Sequence, residues 1–256
     1  MRITREQEEA LNQLQVKRLS DCDDCLLRKI SSFENTHINE KKCSLRNEAS
    51  EEDAVGTVAY YLVSDAEGNI MFYFSLKCGM LYDEFIYPYL TTDKEKSFVE
   101  YAEAKGVDIE QTQLKNDLAI DGNALMTRGR HTFSAIELAH FYRNDNYDFN
   151  KWRAKNKFPQ IGIVIFWRFV VPLVLKIKKQ VGCQYLYLFA ADDSENRKLV
   201  NYYADKLKFR SATEWGTVKP IYDFTCEFMC QEISHLDTKM KKFFNEEFNV
   251  NPEEQV

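Results

Sequence analysis

One stretch constrains this chain more than any other: residues 161–175, IGIVIFWRFVVPLVL, in which Arg168 is the single charge. At about 15 residues it falls short of the ~20 needed to cross a bilayer, and Pro172 interrupts it. It is expected inside a protein core, as a helix that stops at Gly182 and leads into a compact apolar strand over 184–190 (QYLYLFA). The composition supplies such a core. The chain has 256 residues, 45% of them apolar and 14% aromatic, with 9 glycines and 5 prolines, which excludes disordered, collagen-like and linker-like classes. A net charge of −6 argues against a basic face for nucleic acid. Neither a repeat nor a low-complexity linker divides the chain, so one continuous domain is expected.

Seven cysteines, an odd number, stand at 22, 25, 43, 78, 183, 226 and 230. The opening MRITREQEEA reads as a charged helix and not as a secretion signal, so free thiols in a reducing, cytoplasmic setting are expected, with no membrane association. Cys22-x-x-Cys25 with His37 and Cys43 has the spacing of a zinc knuckle, but the first pair falls within a predicted helix, and no metal is expected. The chain contains no G-x-S-x-G, P-loop or H-E-x-x-H motif, so hydrolase and kinase classes lack support.

Read in order, the pattern predicts a helix over 1–15, a strand near LQVKRLS, and a helix capped by Ser20 and Asp21. Residues 34–53 read as a long polar loop. A hairpin follows, GTVAYYLV and IMFYFSL around the turn SDAEGN. Helical text is expected over about 79–130, then a strand over 133–142 (FSAIELAHFY), the buried helix, the strand at 184–190, and a helix over 194–208 capped by Asp193 or Ser194. Two last strands near 209–212 and 222–229 precede a charged tail over 231–256. Alternation of buried strands and helices in the second half argues for a mixed α/β sheet with a parallel portion.

Two places could carry chemistry. The helix opening at residues 158–163 offers unpaired N–H groups and the positive end of the helix dipole to an anion, and Gly162 allows close approach because it lacks Cβ. The bland alternative is that Gly162 serves packing. In the later helix, Asn196 and Tyr203 lie two turns apart on one face.

Here the sequence resembles the GNAT superfamily of acyl-coenzyme A N-acyltransferases. That family carries an R/Q-x-x-G-x-G/A turn opening the helix after its fourth strand, and N-x-x-A-x-x-L-Y-x-K-x-G-F in the helix after its fifth. The turn here reads Lys157-Phe158-Pro159-Gln160-Ile161-Gly162, matching a basic first position and the last glycine. The second motif runs from Asn196 to Tyr203 and closes at Lys208-Phe209, with Lys208 where glycine is usual.

The resemblance implies one GNAT-like domain over 1–256: a mixed sheet core at about 15–230, a helical insertion before the fourth strand, and the tail. It also implies an N-acetyltransferase that moves an acetyl group from acetyl-CoA to a primary amine of a small molecule or protein, with no metal and no nucleic acid. Pyrophosphate would rest on Phe158, Gln160, Ile161, Gly162 and Ile163, with Asn196 nearby, and the pantetheine arm would pair with Leu138, Ala139 and His140. Tyr203 would protonate the departing thiolate, a task suited to a phenol with pKa near ~10. Glu137 is preferred over His140 as general base. Regular alternation puts Glu137 with Ala139, and His140 on the opposite face with Ile136 and Leu138. Residues 34–53 and 79–130, with Tyr82, Asp83 and Glu84, would form an acidic acceptor wall. The rival reading is a non-catalytic acyl-CoA sensor or interaction module on the same fold.

Overall fold

The computed structural model describes residues 2–35, 44–86, 127–156, 158–192, 194–212, 215–217 and 226–249. In chain order the elements are α1 (Arg5–Asn12), β1 (Gln15–Arg18), α2 (Asp24–Lys29), α3 (Ser44–Asn47), α4 (Ala49–Val55), β2 (Ala59–Ser64), β3 (Ile70–Ile86) and β4 (Thr127–Arg143). There follow α5 (Phe149–Asn156), α6 (Ile161–Ile165, a π-turn over Phe166–Val170, then Val171–Val181), β5 (Tyr185–Ala191), α7 (Lys198–Asp205), β6 (Arg210–Ser211), β7 (Trp215–Gly216), β8 (Cys226–Glu232) and α8 (Leu236–Lys242). The strands form one mixed sheet in the order β1-β2-β3-β4-β5-β8-β6, with β7 on β3. The β4–β5 pair is parallel, and α5 and α6 supply the crossover such a pair needs.

Contacts divide the chain into two units. The smaller, Tyr82–Thr132 with Glu214–Gly216, contains the pairing of β7 with Tyr82 and Asp83. The larger unit, the remainder of the chain, holds two hydrophobic clusters. Phe72, Phe74 and Leu76 join one of them with α6, and Tyr73 joins the other, as period-two alternation requires.

The long apolar stretch is the helix α6. Pro172 has no N–H to donate, and next to it the Val171 N–H reaches five residues back to the Phe166 carbonyl, which makes the π-turn. Arg168 leaves the apolar face there and donates to Asn12 Oδ1 at 2.6 Å. Gly182, at φ +69°, ends the helix in the left-handed conformation that glycine accepts. The hairpin turn closes because Asp65 Oδ1 accepts from the Glu67 and Asn69 N–H groups at 3.0 and 2.8 Å.

Several expectations need correction. Asp23, not Ser20 or Asp21, caps α2, accepting from Leu26 N–H at 2.9 Å. The polar text at 34–53 hides two helices, α3 and α4. Leu45, Ala49 and Asp53 are buried at intervals of four, one stripe among charged neighbours, and residues 36–43 lie outside the described residues. Residues 79–86 continue β3 and residues 127–130 open β4, both strand and not helix, while the rest of the expected insertion, 87–126, lies outside the described residues. In the C-terminal segment Leu236, Phe243 and Phe248 are buried in the larger cluster.

Asp53 ties three elements together. It is 3% exposed and accepts from Arg18 Nε at 3.1 Å, Tyr60 N–H at 2.9 Å and Ser20 N–H at 3.1 Å. Burial pushes its carboxyl up, but the bonds from Tyr60, Arg18 and Ser20 outweigh burial and hold it below the usual range. Its stabilisation is therefore present above the ordinary Asp range and lost as pH falls through the depressed value. Asp53→Ala should cost roughly 2–3 kcal/mol at neutral pH in denaturant unfolding. The gap from the native protein should narrow in acid; a gap that is constant with pH would contradict the assignment.

Candidate active site

The site begins where two strands part. β4 and β5 pair through Ala135–Tyr185, Ile136–Leu186 and Glu137–Tyr187, and there their register ends. Beyond that rung β5 continues against β8 as far as Ala191–Cys226, while β4 stays with β3, whose Met71 carbonyl accepts from Asn144 N–H at 2.8 Å. On the β5 side, Leu138, Ala139 and His140 thus present backbone that the parting of the strands leaves open.

Alternation slips at this point. Ile136, Leu138 and Phe141 all pack with the cluster that contains α6, whereas His140 and Tyr142 ring-pack with Tyr73 of the other cluster. Glu137 pairs across with Tyr187, opposite the Ile136–Leu186 rung that faces α6. One extra residue between Leu138 and Phe141 accounts for both, in the manner of a β-bulge. Glu137 and His140 therefore face the same side of the sheet, which corrects the expectation that His140 sits with Ile136 and Leu138.

Glu137 is 5% exposed and accepts a hydrogen bond from Tyr187 Oη to its Oε2 at 3.1 Å. Burial raises its pKa, opposed by the charge of Lys77 and by the Tyr187 bond. Burial also raises the Tyr187 phenol, with the Glu137 charge adding to it. His140 stacks on Tyr60 at 5.4 Å and shares a 2.7 Å hydrogen bond between Nδ1 and Ser75 Oγ. Burial lowers its pKa to about 4, so the ring is neutral near pH 7. A buried carboxylate with a raised pKa is suited to take a proton; the histidine is held as a core imidazole.

At the start of α6, Phe158, Ile161 and Ile163 turn into the core; the Phe158 ring stacks on Trp152 at 4.6 Å. Gln160 is exposed and precedes the first turn without capping it through its side chain. Gly162 does more than clear a path for an anion. A Cβ there would stand 2.5 Å from the Tyr202 hydroxyl, so the missing side chain makes room for that phenol. Lys157 lies outside the described residues.

The second helix is shorter than expected. α7 starts at Lys198 after Arg197, whose φ is +50°. Asp192 Oδ2 accepts from the Leu199 and Val200 N–H groups at 2.7 and 3.0 Å, and Ser194 Oγ accepts from Lys198 N–H at 2.9 Å. Asp193 lies outside the described residues. Asn196 is exposed ahead of the helix, and its carbonyl accepts from Asn201 Nδ2. Tyr203 is 9% exposed in the core, ring-packed with Tyr202 and Phe209. Burial raises its pKa, and the nearby Tyr142 phenol and Asp192 carboxylate add to that. Among the described residues, the phenol bonded to Glu137 is Tyr187, not Tyr203. Tyr187 and Tyr202 are the residues sequence reasoning missed. The first needs the strand register, and the second needs the helix phase, which moved when α7 began at 198.

Of the proposed acceptor wall, Tyr82 is half-buried, and the side chains of Asp83 and Glu84 lie outside the described residues. So do His37 and Cys43; Cys22 donates its thiol to the Arg18 carbonyl at 3.2 Å, and Cys25 is exposed. No described helix is long and apolar enough to cross a membrane.

Comparison of the sequence with protein-family models and with curated proteins finds no match. Solved structures do match. A tyrosine-to-phenylalanine mutant of the AtaT toxin covers 89% of this chain and 94% of its own at 10% identity, with a TM-score of 0.50. A second solved structure, described as a bacterial toxin, covers 89% and 95% at 12% identity, also with a TM-score of 0.50. The fold is the GNAT fold. Within it, the opening between β4 and β5 and the start of α6 are the places the sequence resemblance assigned to an acyl-CoA. The expectation of no nucleic acid is corrected by a further similar structure, AtaT complexed with acetyl-methionyl-tRNAfMet, at 11% identity over 88% of this chain and 98% of that one, TM-score 0.44.

Gly162→Ala should destabilise the chain by roughly 1–3 kcal/mol through overpacking against Tyr202. Adding Tyr202→Phe removes the clashing oxygen and leaves ring carbon Cζ at 3.6 Å, ordinary contact. Thermal unfolding of the double variant should recover the loss, and equal melting of the single and double variants would contradict this packing.

Proposed function

We propose that this chain is an acetyl-CoA-dependent N-acyltransferase acting on a primary amine. The observation that carries the reading is the parting of β4 from β5 beside a buried carboxylate on a GNAT sheet. In the proposed reaction the acyl-CoA lies in that opening, its amide groups paired with strand backbone at Leu138, Ala139 and His140. Its diphosphate meets the N–H groups of Phe158, Gln160, Ile161 and Gly162 at the start of α6, where the helix dipole favours negative charge. Pro159 has no N–H, and that of Ile163 already donates to the Gln160 carbonyl at 3.1 Å. The amine nitrogen attacks the thioester carbon, and the developing oxyanion takes a hydrogen bond from a strand amide. Glu137 accepts the ammonium proton, directly or through a water. As the C–S bond breaks, the thiolate takes a proton from a tyrosine. Tyr203 holds that role by the resemblance; Tyr202 competes for it because its hydroxyl lies against Gly162. Burial raises both phenols, which keeps each protonated and able to hydrogen-bond the departing sulfur. The thiolate is the weaker base, so departure of coenzyme A draws the transfer, and the tyrosinate regains a proton from solvent as Glu137 releases its own. Most of the rate would come from holding two substrates adjacent.

A specific observation favours a second reading, a non-catalytic acyl-CoA sensor. The phosphate turn has Gln160 in place of a glycine, and Tyr202 fills the space Gly162 leaves.

Calorimetric titration with acetyl-CoA should show binding, followed by coenzyme A thiol release with at least one member of an amine panel. The panel should include polyamines, lysine peptides, peptide N-termini and aminoacyl-tRNA. Tyr203→Phe should then lower turnover about 10–100-fold with donor affinity nearly unchanged; if Tyr202→Phe does so instead, the role belongs to Tyr202. Binding without turnover on any amine would favour the sensor, and absence of binding would remove both readings.

A further inference from the structure

The phenol that faces Glu137 comes from β5, and a glycine on β3 makes its place. Tyr187 is 3% exposed, and it occupies the last rung of the β4–β5 pairing, directly across from Glu137. Gly79 is not one of the glycines with left-handed backbone, which are Gly56, Gly68 and Gly182. Its strand conformation would accept any residue. What forbids a side chain is the phenol: a Cβ at position 79 would stand 2.6 and 2.7 Å from Tyr187 Cε1 and Cζ, and closer still to the hydroxyl. The Thr217 hydroxyl, which donates to the Met80 carbonyl at 2.9 Å, lies beside the phenol. A ring this enclosed has one position for its oxygen, 3.1 Å from Glu137 Oε2.

We propose that Tyr187 is a positioning residue for Glu137, with Gly79 as the clearance that lets its hydroxyl reach and fix the carboxylate at the rung where β4 and β5 part. The inference rests on the reading of Glu137 as the general base. Its chemistry is that of a donor to a base: the hydroxyl stabilises the carboxylate form and orients its second oxygen, Oε1, for the incoming proton. The other groups facing the pair among the described residues are Lys77 on β3, which favours the carboxylate, Cys78 beside the phenol, and Cys230, across from Tyr187 on β8.

The test is the titration of the Glu137 carboxyl carbon by NMR in protein labelled with 13C-glutamate, its signal assigned with Glu137→Gln. Burial alone raises this carboxyl, and the Tyr187 hydroxyl opposes that rise. Tyr187→Phe should therefore shift the titration to higher pH by roughly one unit, the scale of one hydrogen bond to a charged group. Gly79→Ala, on a different strand, should displace the hydroxyl and produce a shift of the same sign. An unchanged Glu137 titration in a folded Tyr187→Phe protein would overturn the proposal. Kinetics separate it from the reading beneath it. The acid limb of kcat/KM should move up with the titration in Tyr187→Phe. A Glu137-dependent limb that stays in place removes Tyr187 alone, while Glu137→Gln at full rate with an unchanged profile removes Glu137 from the reaction.

Discussion

Backbone amides and carbonyls in a protein interior must find partners, and a strand that leaves its neighbour breaks that rule locally. Here β4 and β5 share three rungs and then separate, β5 toward β8 and β4 toward β3. What surrounds the opening follows from it. The helix α6 begins where the crossover returns from β4, with Gly162 beside Phe141 and the Tyr202 hydroxyl, and α7 follows directly after β5, with its Tyr203 near Tyr142 at the end of β4. On the proposed reading a thioester substrate with amide groups along its arm supplies the missing partners. The site is then a gap in the hydrogen-bond ladder more than a collection of reactive side chains.

The slip in alternation between Leu138 and Phe141 gives the gap its polarity. Without it, His140 would sit under α6 with the aliphatic side chains. With it, Glu137 and His140 lie on one side, and burial drives them in opposite senses: the acid up, the imidazole down. Burial penalises the charged form of both, and at Glu137 the hydrogen bond from the Tyr187 phenol opposes that rise. His140 is enclosed by Tyr60, Tyr73 and Tyr142 and bonded to Ser75, which is a structural arrangement.

Much of the fold was legible because its strongest signals are local. The hairpin at 59–76, the buried helix, its glycine stop and the strand at 185–191 depend on periodicity and turn chemistry. Helices α3 and α4 were hidden because their buried stripe is only Leu45, Ala49 and a charged residue, Asp53, whose burial makes sense only with Arg18 in place. The site was half legible. Glu137 could be named from its acid character within an apolar strand, but its true neighbour could not: Tyr187 is 50 residues away and reaches it only through register. At Gly162 the absence of Cβ reads the same in sequence whether a phosphate or a tyrosine hydroxyl comes close, and only the structure shows that the Tyr202 hydroxyl lies there.

The most direct measurement is amide hydrogen exchange, resolved by residue, over β4 with and without saturating acetyl-CoA. If the donor completes the interrupted ladder, exchange at Leu138, Ala139, His140 and their neighbours up to Tyr142 should slow on binding, along with the first amides of α6. Donor that binds while those strand amides exchange as before would mean the opening is not its seat, and the catalytic reading would fall with it.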